Sequence, residues 1–135
     1  MKYIDSNVFI YPVIYNESTE KLAKEAKKIL VKIAEGDLEA STSFLTWDEI
    51  VWVVRKTVDK RSAVKEGEKF LQFPKLEMLE INKNVILTAQ DLIDRYKLRP
   101  RDAIHVASAL ENGIKEIISD DPDLDVVKEI TRIRI

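Results

Sequence analysis

Four acidic residues, at positions where an α/β protein builds its active site, are the strongest candidates for chemistry: Asp5, Glu49, Asp102 and Asp121. Two follow short predicted strands and two lie at the starts of predicted helices. In a parallel sheet these positions meet at one edge, beyond the carboxyl ends of the strands. Carboxylates that converge there would repel one another unless a cation neutralised them. With one His and no Cys in the chain, oxygen ligands of this kind favour Mg²⁺ or Mn²⁺.

Each carboxylate also has a structural explanation when it is taken alone. Asp5 stands in an Asp-Ser-Asn sequence, which is typical of a turn or a helix cap. Thr46 and Glu49 have the spacing of a capping box, and Asp102 lies in a first helical turn, where the helix dipole favours an anion. The functional interpretation therefore depends on the four residues together.

The acidic segment around Asp121 has two further interpretations. Asp121, Asp123 and Asp125 alternate like the first ligands of a calcium-binding loop. Such a loop needs Gly at its sixth position and Glu at its twelfth, where this chain has Val126 and Arg132. A calcium loop is excluded, and a solvated acidic turn remains the structural alternative.

The elements that would position these residues are predicted from the pattern of apolar residues. Strands are expected at 2–5, 38–43, 76–81, 116–119 and 130–135, and helices at 19–35, 46–58, 62–73, 82–96 and 101–112. Ser18 and Asn82 are predicted helix caps, and Gly36 and Gly113 are predicted helix ends. Strands that alternate with long helices indicate a mostly parallel sheet with helices on both faces.

Composition narrows the possible functions. A chain of 135 residues fits one domain. The lack of Cys excludes disulfides and thiolate zinc sites, and the isolated glycines offer no phosphate-binding loop. No apolar run approaches the ~20 residues of a membrane span and no signal peptide is evident, so a cytoplasmic location is expected. The net charge of −2 means that any nucleic-acid contact must depend on local basic patches or a bound cation.

Four segments of the chain resemble the PIN domain family. They are Tyr3 to Asn7, Ser43 to Ile50 with Glu49, Leu98 to Leu110 with the sequence Asp-Ala-Ile-His-Val-Ala-Ser-Ala, and Ile117 to Leu124. These four segments carry a resemblance that extends over nearly the whole chain. The third segment, and its distance from Asp121, is the most specific. Leu124 stands where an aromatic residue is common in the family, and Asp120 is an additional acid beside Asp121.

The resemblance implies a three-layer α/β/α sandwich with a central, mainly parallel five-stranded sheet, formed by residues 1–135 as one PIN domain. It implies a ribonuclease that uses Mg²⁺ or Mn²⁺, with Asp5, Glu49, Asp102 and Asp121 as catalytic residues. Asp5, Asp102 and Asp121 would bind the metal, and Ser119 and Asp123 would support the site. A small chain of this type resembles the toxin of a toxin–antitoxin pair, usually a homodimer that a small antitoxin inhibits.

Several alternatives remain after this comparison. A catalytically inactive PIN-like module that binds a partner stays possible, whereas a receiver domain is disfavoured because Asn82 follows the strand at 76–81. His105 is expected to pack or support the site and not to act as a base. Basic residues in the helices at 46–58 and 62–73, and Arg99 and Arg101, could bind RNA or form a solvated face. Trp47, Trp52 and the neighbouring valines suggest a dimer surface.

Overall fold

The computed structural model describes residues 1–135 and contains a five-stranded sheet and six α-helices. The strands are β1 (Lys2–Ile4), β2 (Ala40–Ser43), β3 (Leu76–Leu79), β4 (Glu116–Ile118) and β5 (Thr131–Ile133). The helices are α1 (Ser6–Ile14), α2 (Lys21–Glu35), α3 (Leu45–Thr57), α4 (Lys60–Leu71), α5 (Lys83–Tyr96) and α6 (Pro100–Glu111). A 3₁₀ helix, Pro122–Val126, follows β4. None of the α-helices has both the length and the hydrophobicity required to cross a bilayer.

The sheet has the strand order β3-β2-β1-β4-β5, and every pair of neighbours is parallel. The expected three-layer α/β/α sandwich is confirmed, with a sheet that is entirely parallel. β1 lies at the centre, where Tyr3 is paired with Ser41 on one side and with Ile117 on the other. All five strands therefore end at the same edge, which is where ligand sites form in such folds.

Two hydrophobic clusters hold the helices against the two faces of the sheet. Tyr3 points to the cluster formed with α5 and α6. Ile4, the next residue, points to the cluster formed with α1, α2, α3 and α4. This alternation is the normal consequence of strand geometry. It places Tyr3, a residue with a polar tip, in the core beneath α6.

Helix α1 is the largest departure from the sequence-based expectation, which assigned no element between Asp5 and Ser18. Asp5 is its N-cap, and its Oδ1 accepts a hydrogen bond of 2.7 Å from the Ser6 backbone N–H. Val8, Phe9 and Ile10 are all buried. A helix that is buried on several sides lacks the single apolar stripe by which helices are recognised in a sequence.

Two predicted caps are also wrong, whereas the one at Asn82 is confirmed by its bond to the Val85 N–H. Helix α2 begins after Glu20, and Ser18 instead donates to Asn16. Helix α3 begins after Phe44 without a side-chain cap, so the Thr46–Glu49 capping box does not form. The predicted helix end at Gly36 is confirmed by its left-handed backbone, with φ of 84°.

Candidate functional site

Three aspartates, which we call the acidic trio, come together at the carboxyl edge of the sheet. Asp102, Asp121 and Asp123 each offer a carboxylate oxygen, and these atoms all lie within 4.8 Å of one another. Asp102 is in the first turn of α6, which Pro100 begins. Asp121 caps the 3₁₀ helix by accepting a 2.9 Å hydrogen bond from the Asp123 N–H. Local helix starts therefore aim all three side chains at one point.

The charges of the trio are partly balanced by Arg99. Its guanidinium nitrogens lie 3.3 Å from Asp102 Oδ2, 3.7 Å from Asp121 Oδ2 and 3.3 Å from Asp123 Oδ2. The balance is incomplete at Asp102, where burial and repulsion from Asp121 raise the pKa of the carboxyl group despite the attraction of Arg99. The trio is thus a place where an additional positive charge is favourable.

The geometry of the trio also fits a divalent cation. Two oxygens that ligate one ion at about 2.0–2.6 Å are separated by at most about 4–5 Å. The spread of 4.8 Å satisfies this limit. The ligands are carboxylates alone, which Mg²⁺ and Mn²⁺ prefer over nitrogen and sulfur.

Asp5 is buried beside the trio, and both of its oxygens accept hydrogen bonds. Its Oδ2 accepts a 2.5 Å bond from Ser119 Oγ and a longer one, 3.4 Å, from Asn7. Ser119 Oγ in turn accepts a 3.0 Å bond from the Asp121 N–H. Ser119 therefore links Asp5 to the trio through one oxygen atom.

Glu49 reaches the same edge through His105. His105 is almost fully buried in α6, and its Nε2 bonds to Glu49 Oε1 and lies 3.6 Å from Asp5 Oδ1. Its Nδ1 lies 2.7 Å from the Tyr3 hydroxyl. Tyr3 also accepts from the Ser43 N–H at 3.1 Å and donates to Ser43 Oγ at 2.9 Å. We call Tyr3, Ser43, His105, Glu49 and Asp5 the buried network.

Hydrogen-bond accounting indicates which protons His105 carries. The ionised Glu49 carboxylate can only accept, so Nε2 of His105 carries a proton. With the Tyr3 proton directed to Ser43 Oγ, Nδ1 donates to the Tyr3 oxygen as well. An imidazole that donates from both nitrogens is positively charged. Burial alone would lower the pKa of His105, but the Tyr3 oxygen and the carboxylates of Asp5 and Glu49 raise it well above its usual value.

The structure thus brings all four predicted catalytic residues to one edge, in two groups. Asp102 and Asp121 are in the acidic trio, and Asp5 and Glu49 are in the buried network. The predicted metal ligands included Asp5, whereas the closest set of three contains Asp123 in its place. Asp120 lies apart, because Tyr11 donates a 2.7 Å hydrogen bond to it. The structure therefore places Asp121, and not Asp120, in the site.

The sequence-based prediction gave no role in the site to Tyr3, Ser43 or Asn7, although they lie in segments that resemble the family. Tyr3 and Ser43 are separated by 40 positions in the chain, and Tyr3 and His105 by 102. Their contact depends on the pairing of β1 with β2 and on the packing of α6. The one indication in the sequence is Tyr3 itself, because its hydroxyl group lies in a strand that is expected to be in the core.

Comparisons with known proteins identify the family to which the chain belongs. The family model described as "PIN domain" matches residues 2–130. This chain belongs to the PIN domain family. Comparison with curated protein sequences finds no match.

Solved structures with the same fold include several components of toxin–antitoxin systems. VapC20 from Mycobacterium tuberculosis, described as a Sarcin-Ricin loop cleaving toxin, is 14% identical, with a TM-score of 0.78 and complete coverage of both chains. A chain of VapBC2 from Rickettsia felis, bound to a promoter DNA fragment, is 14% identical, with a TM-score of 0.73 and coverage of 99% and 98%. A toxin–antitoxin complex from Klebsiella pneumoniae contains a chain that is 18% identical, with a TM-score of 0.68 and coverage of 97% and 96%. At these sequence identities, the comparisons show that this chain has the same fold as the three proteins.

Proposed function

We propose that this PIN domain is a metal-dependent endoribonuclease that hydrolyses RNA phosphodiester bonds. The observation that carries the proposal is the acidic trio at the carboxyl edge of the sheet, joined to Asp5 through Ser119. Asp102 and Asp121 would hold Mg²⁺ or Mn²⁺, with Asp123 or Asp5 completing the set. Such an ion, when bound, activates a water molecule and stabilises the charge that develops on phosphorus.

Hydrogen bonds within the protein fix the orientation of the carboxylates in the site. Ser6 and Ser119 fix both oxygens of Asp5, so its direction is set before any ligand arrives. His105 holds Glu49 at the edge of the site, where its carboxylate can hydrogen bond to water. Arg99 and Arg101 border the same cleft as Glu49 and Asp102. In a protein of net charge −2, these are the positive groups best placed to meet an RNA backbone.

The biological setting follows from the structural relatives. Because solved relatives include a toxin and toxin–antitoxin complexes, the protein is proposed to be the toxin of such a pair, inhibited by a small antitoxin in the cytoplasm. Residues 1–135 would form one domain. Trp47 and Trp52 are exposed on α3 and support the proposal of a homodimer, since isolated proteins rarely leave large aromatic surfaces uncovered.

The decisive experiment compares Asp5→Asn with Asp48→Asn in cleavage of a short single-stranded RNA with Mn²⁺, and with a chelator control. Asn keeps the size of Asp5 and its cap on α1, but an amide is a poor ligand for a hard cation. We expect Asp5→Asn to reduce the rate about 100-fold or more. Asp48 belongs to neither the acidic trio nor the buried network, and its exposed pair with Arg101 at 3.6 Å contributes little, so Asp48→Asn should cleave at nearly the wild-type rate.

Two outcomes would reject the proposal. If Asp5→Asn cleaves RNA as fast as the wild type, this edge of the sheet is not the nuclease site. If the wild type cleaves no RNA at any Mn²⁺ concentration, the inactive partner-binding PIN module becomes the better description.

A further inference from the structure

Arg99 contacts the same three carboxylate groups that a metal ion would use. Its guanidinium faces Oδ2 of Asp102, Asp121 and Asp123, at 3.3, 3.7 and 3.3 Å. These carboxylates belong to one group whose ligand atoms lie within 4.8 Å of one another. A guanidinium and a divalent cation compete for this position, because both are attracted to the same three carboxylates and the two positive charges repel each other.

The backbone of Arg99 is fixed, whereas its side chain can move away from the trio. Its backbone is fixed as the N-cap of α6, where its carbonyl accepts a 3.0 Å bond from the Ala103 N–H. Its side chain, in contrast, is 73% exposed and is held only at its tip. The contacts are longer than the 2.7–2.9 Å of strong charge-assisted bonds, and exposed ion pairs of this kind contribute little free energy. The side chain can therefore turn about a fixed base at small cost.

We propose that Arg99 competes with the divalent cation for the acidic trio, and that the guanidinium, once displaced, binds a phosphate of the RNA. This inference rests on the proposed function. Arg99 lines the open cleft together with Glu49, Pro100, Arg101 and Asp102, so a displaced side chain stays next to the site. A guanidinium is well suited to phosphate, because its planar N–H groups match two phosphate oxygens.

The consequence is that metal binding and RNA binding help each other. Without the cation, Arg99 is engaged by carboxylates and contributes nothing to RNA. With the cation bound, the same positive charge becomes available to the substrate. By thermodynamic linkage, RNA that holds Arg99 away from the trio raises the affinity for the metal by the same factor.

Arg101 provides the matched control. It is an arginine in the same cleft, two positions along the chain, and it pairs with Asp48 at 3.6 Å and not with the trio. Its pairing should not change when a cation binds. Any difference between substitutions at these two positions reports on the trio and not on the general charge of the cleft.

The first test is calorimetric titration of Mn²⁺ into the wild type, Arg99→Gln and Arg101→Gln. We expect Arg99→Gln to bind Mn²⁺ about three- to fivefold more tightly than the wild type, by a margin that shrinks at high salt. Arg101→Gln should bind as the wild type does. Equal or weaker Mn²⁺ binding by Arg99→Gln would overturn the inference, because Arg99 would then be neutral toward the ion or would help to arrange its ligands.

The second test measures the salt dependence of RNA recognition. In saturating Mn²⁺, the slope of log KM against log salt should fall by about 0.7 in Arg99→Gln, which is the loss of one phosphate contact on a single strand. In chelator, the salt slope of the RNA dissociation constant should be the same for this variant and the wild type. A slope that changes equally in both conditions would contradict the displacement of Arg99.

These tests separate the inference from the proposed function. If the wild type binds Mn²⁺ and cleaves RNA but Arg99→Gln shows neither change, only the competition by Arg99 is wrong. If neither the wild type nor the variants bind Mn²⁺, the metal-dependent function fails, and the inference fails with it.

Discussion

The buried network and the acidic trio lie side by side at the carboxyl edge of the sheet, but they are stabilised in opposite ways. In the buried network, every polar atom of Tyr3 and His105 has a partner inside the protein. In the trio, the one positively charged partner that contacts all three carboxylates is the exposed side chain of Arg99. One site can therefore combine two kinds of group. The hydrogen bonds of the first are satisfied within the protein, and the negative charge of the second is balanced fully only by a ligand. We therefore expect the buried network to determine stability and the trio to determine the response to metal.

The largest effect on stability is expected from His105→Ala. The substitution creates a cavity in a fully buried position and removes the hydrogen bonds that His105 makes to Tyr3 and Glu49. We expect the free energy of unfolding in urea to fall by about 2–4 kcal/mol. A loss below about 0.5 kcal/mol, which is typical of surface positions, would remove the contrast between the two groups.

The next effect is the response of the trio to metal. Mn²⁺ at a hundred times its dissociation constant should stabilise the wild type by about 2.7 kcal/mol, because it binds the folded state alone. Thermal unfolding with and without Mn²⁺ measures this. Asp121→Asn should lose most of the stabilisation by Mn²⁺, because an amide is a weak ligand for this ion. The amide oxygen can still accept the hydrogen bond from the Asp123 N–H, so the local turn is kept. Tyr3→Phe should keep the gain, and its loss there would show that the two groups are not separate.

A smaller loss is expected from Tyr3→Phe itself. Phe keeps the ring that packs in the core but removes the hydroxyl shared by Ser43 and His105. Leaving these buried groups unsatisfied should lower the free energy of unfolding by about 1–3 kcal/mol. The matched control is Tyr15→Phe, which removes a hydroxyl from an exposed ring and should change the free energy of unfolding by less than about 0.5 kcal/mol.

The smallest effect is expected from Asp123→Asn in chelator. Asp123 is the most exposed member of the trio, and its backbone N–H, not its side chain, makes the local turn. The free energy of unfolding should change by less than about 0.5 kcal/mol. A large change in urea denaturation would show that the trio is a structural element and that its shape does not depend on a ligand.

The parallel sheet and the position of the acidic edge could be predicted from the sequence, because both depend on local patterns. Short apolar strands alternate with amphipathic helices, and Asp102 and Asp121 stand directly at element boundaries. The buried network could not be predicted in this way. The contacts of Tyr3 with Ser43 and His105 are set by strand register and helix packing, which leave no local trace in the chain.

The capping box at Thr46 and Glu49 shows why a correct local pattern can fail. Thr46 Oγ1 bonds to Thr42 Oγ1 at 2.6 Å inside the protein, and Glu49 turns to His105. A hydrogen bond between a carboxylate and a charged imidazole is stronger than a cap on a backbone amide. The tertiary structure therefore offers both side chains better partners than the helix end does.

The contacts of Ser119 make the geometry of the site depend on the correct pairing of β4 with β1. One oxygen atom of this residue holds Asp5 and also the backbone of Asp121, and it follows directly after β4, where Ile118 is paired with Ile4 of β1. A slip of one residue in a strand turns every side chain to the opposite face of the sheet. A chain that folded with β4 displaced in this way would lose both links at once. Misfolded copies of the protein would then lack the proposed cleavage activity, and that activity would report the fraction of chains with native strand register.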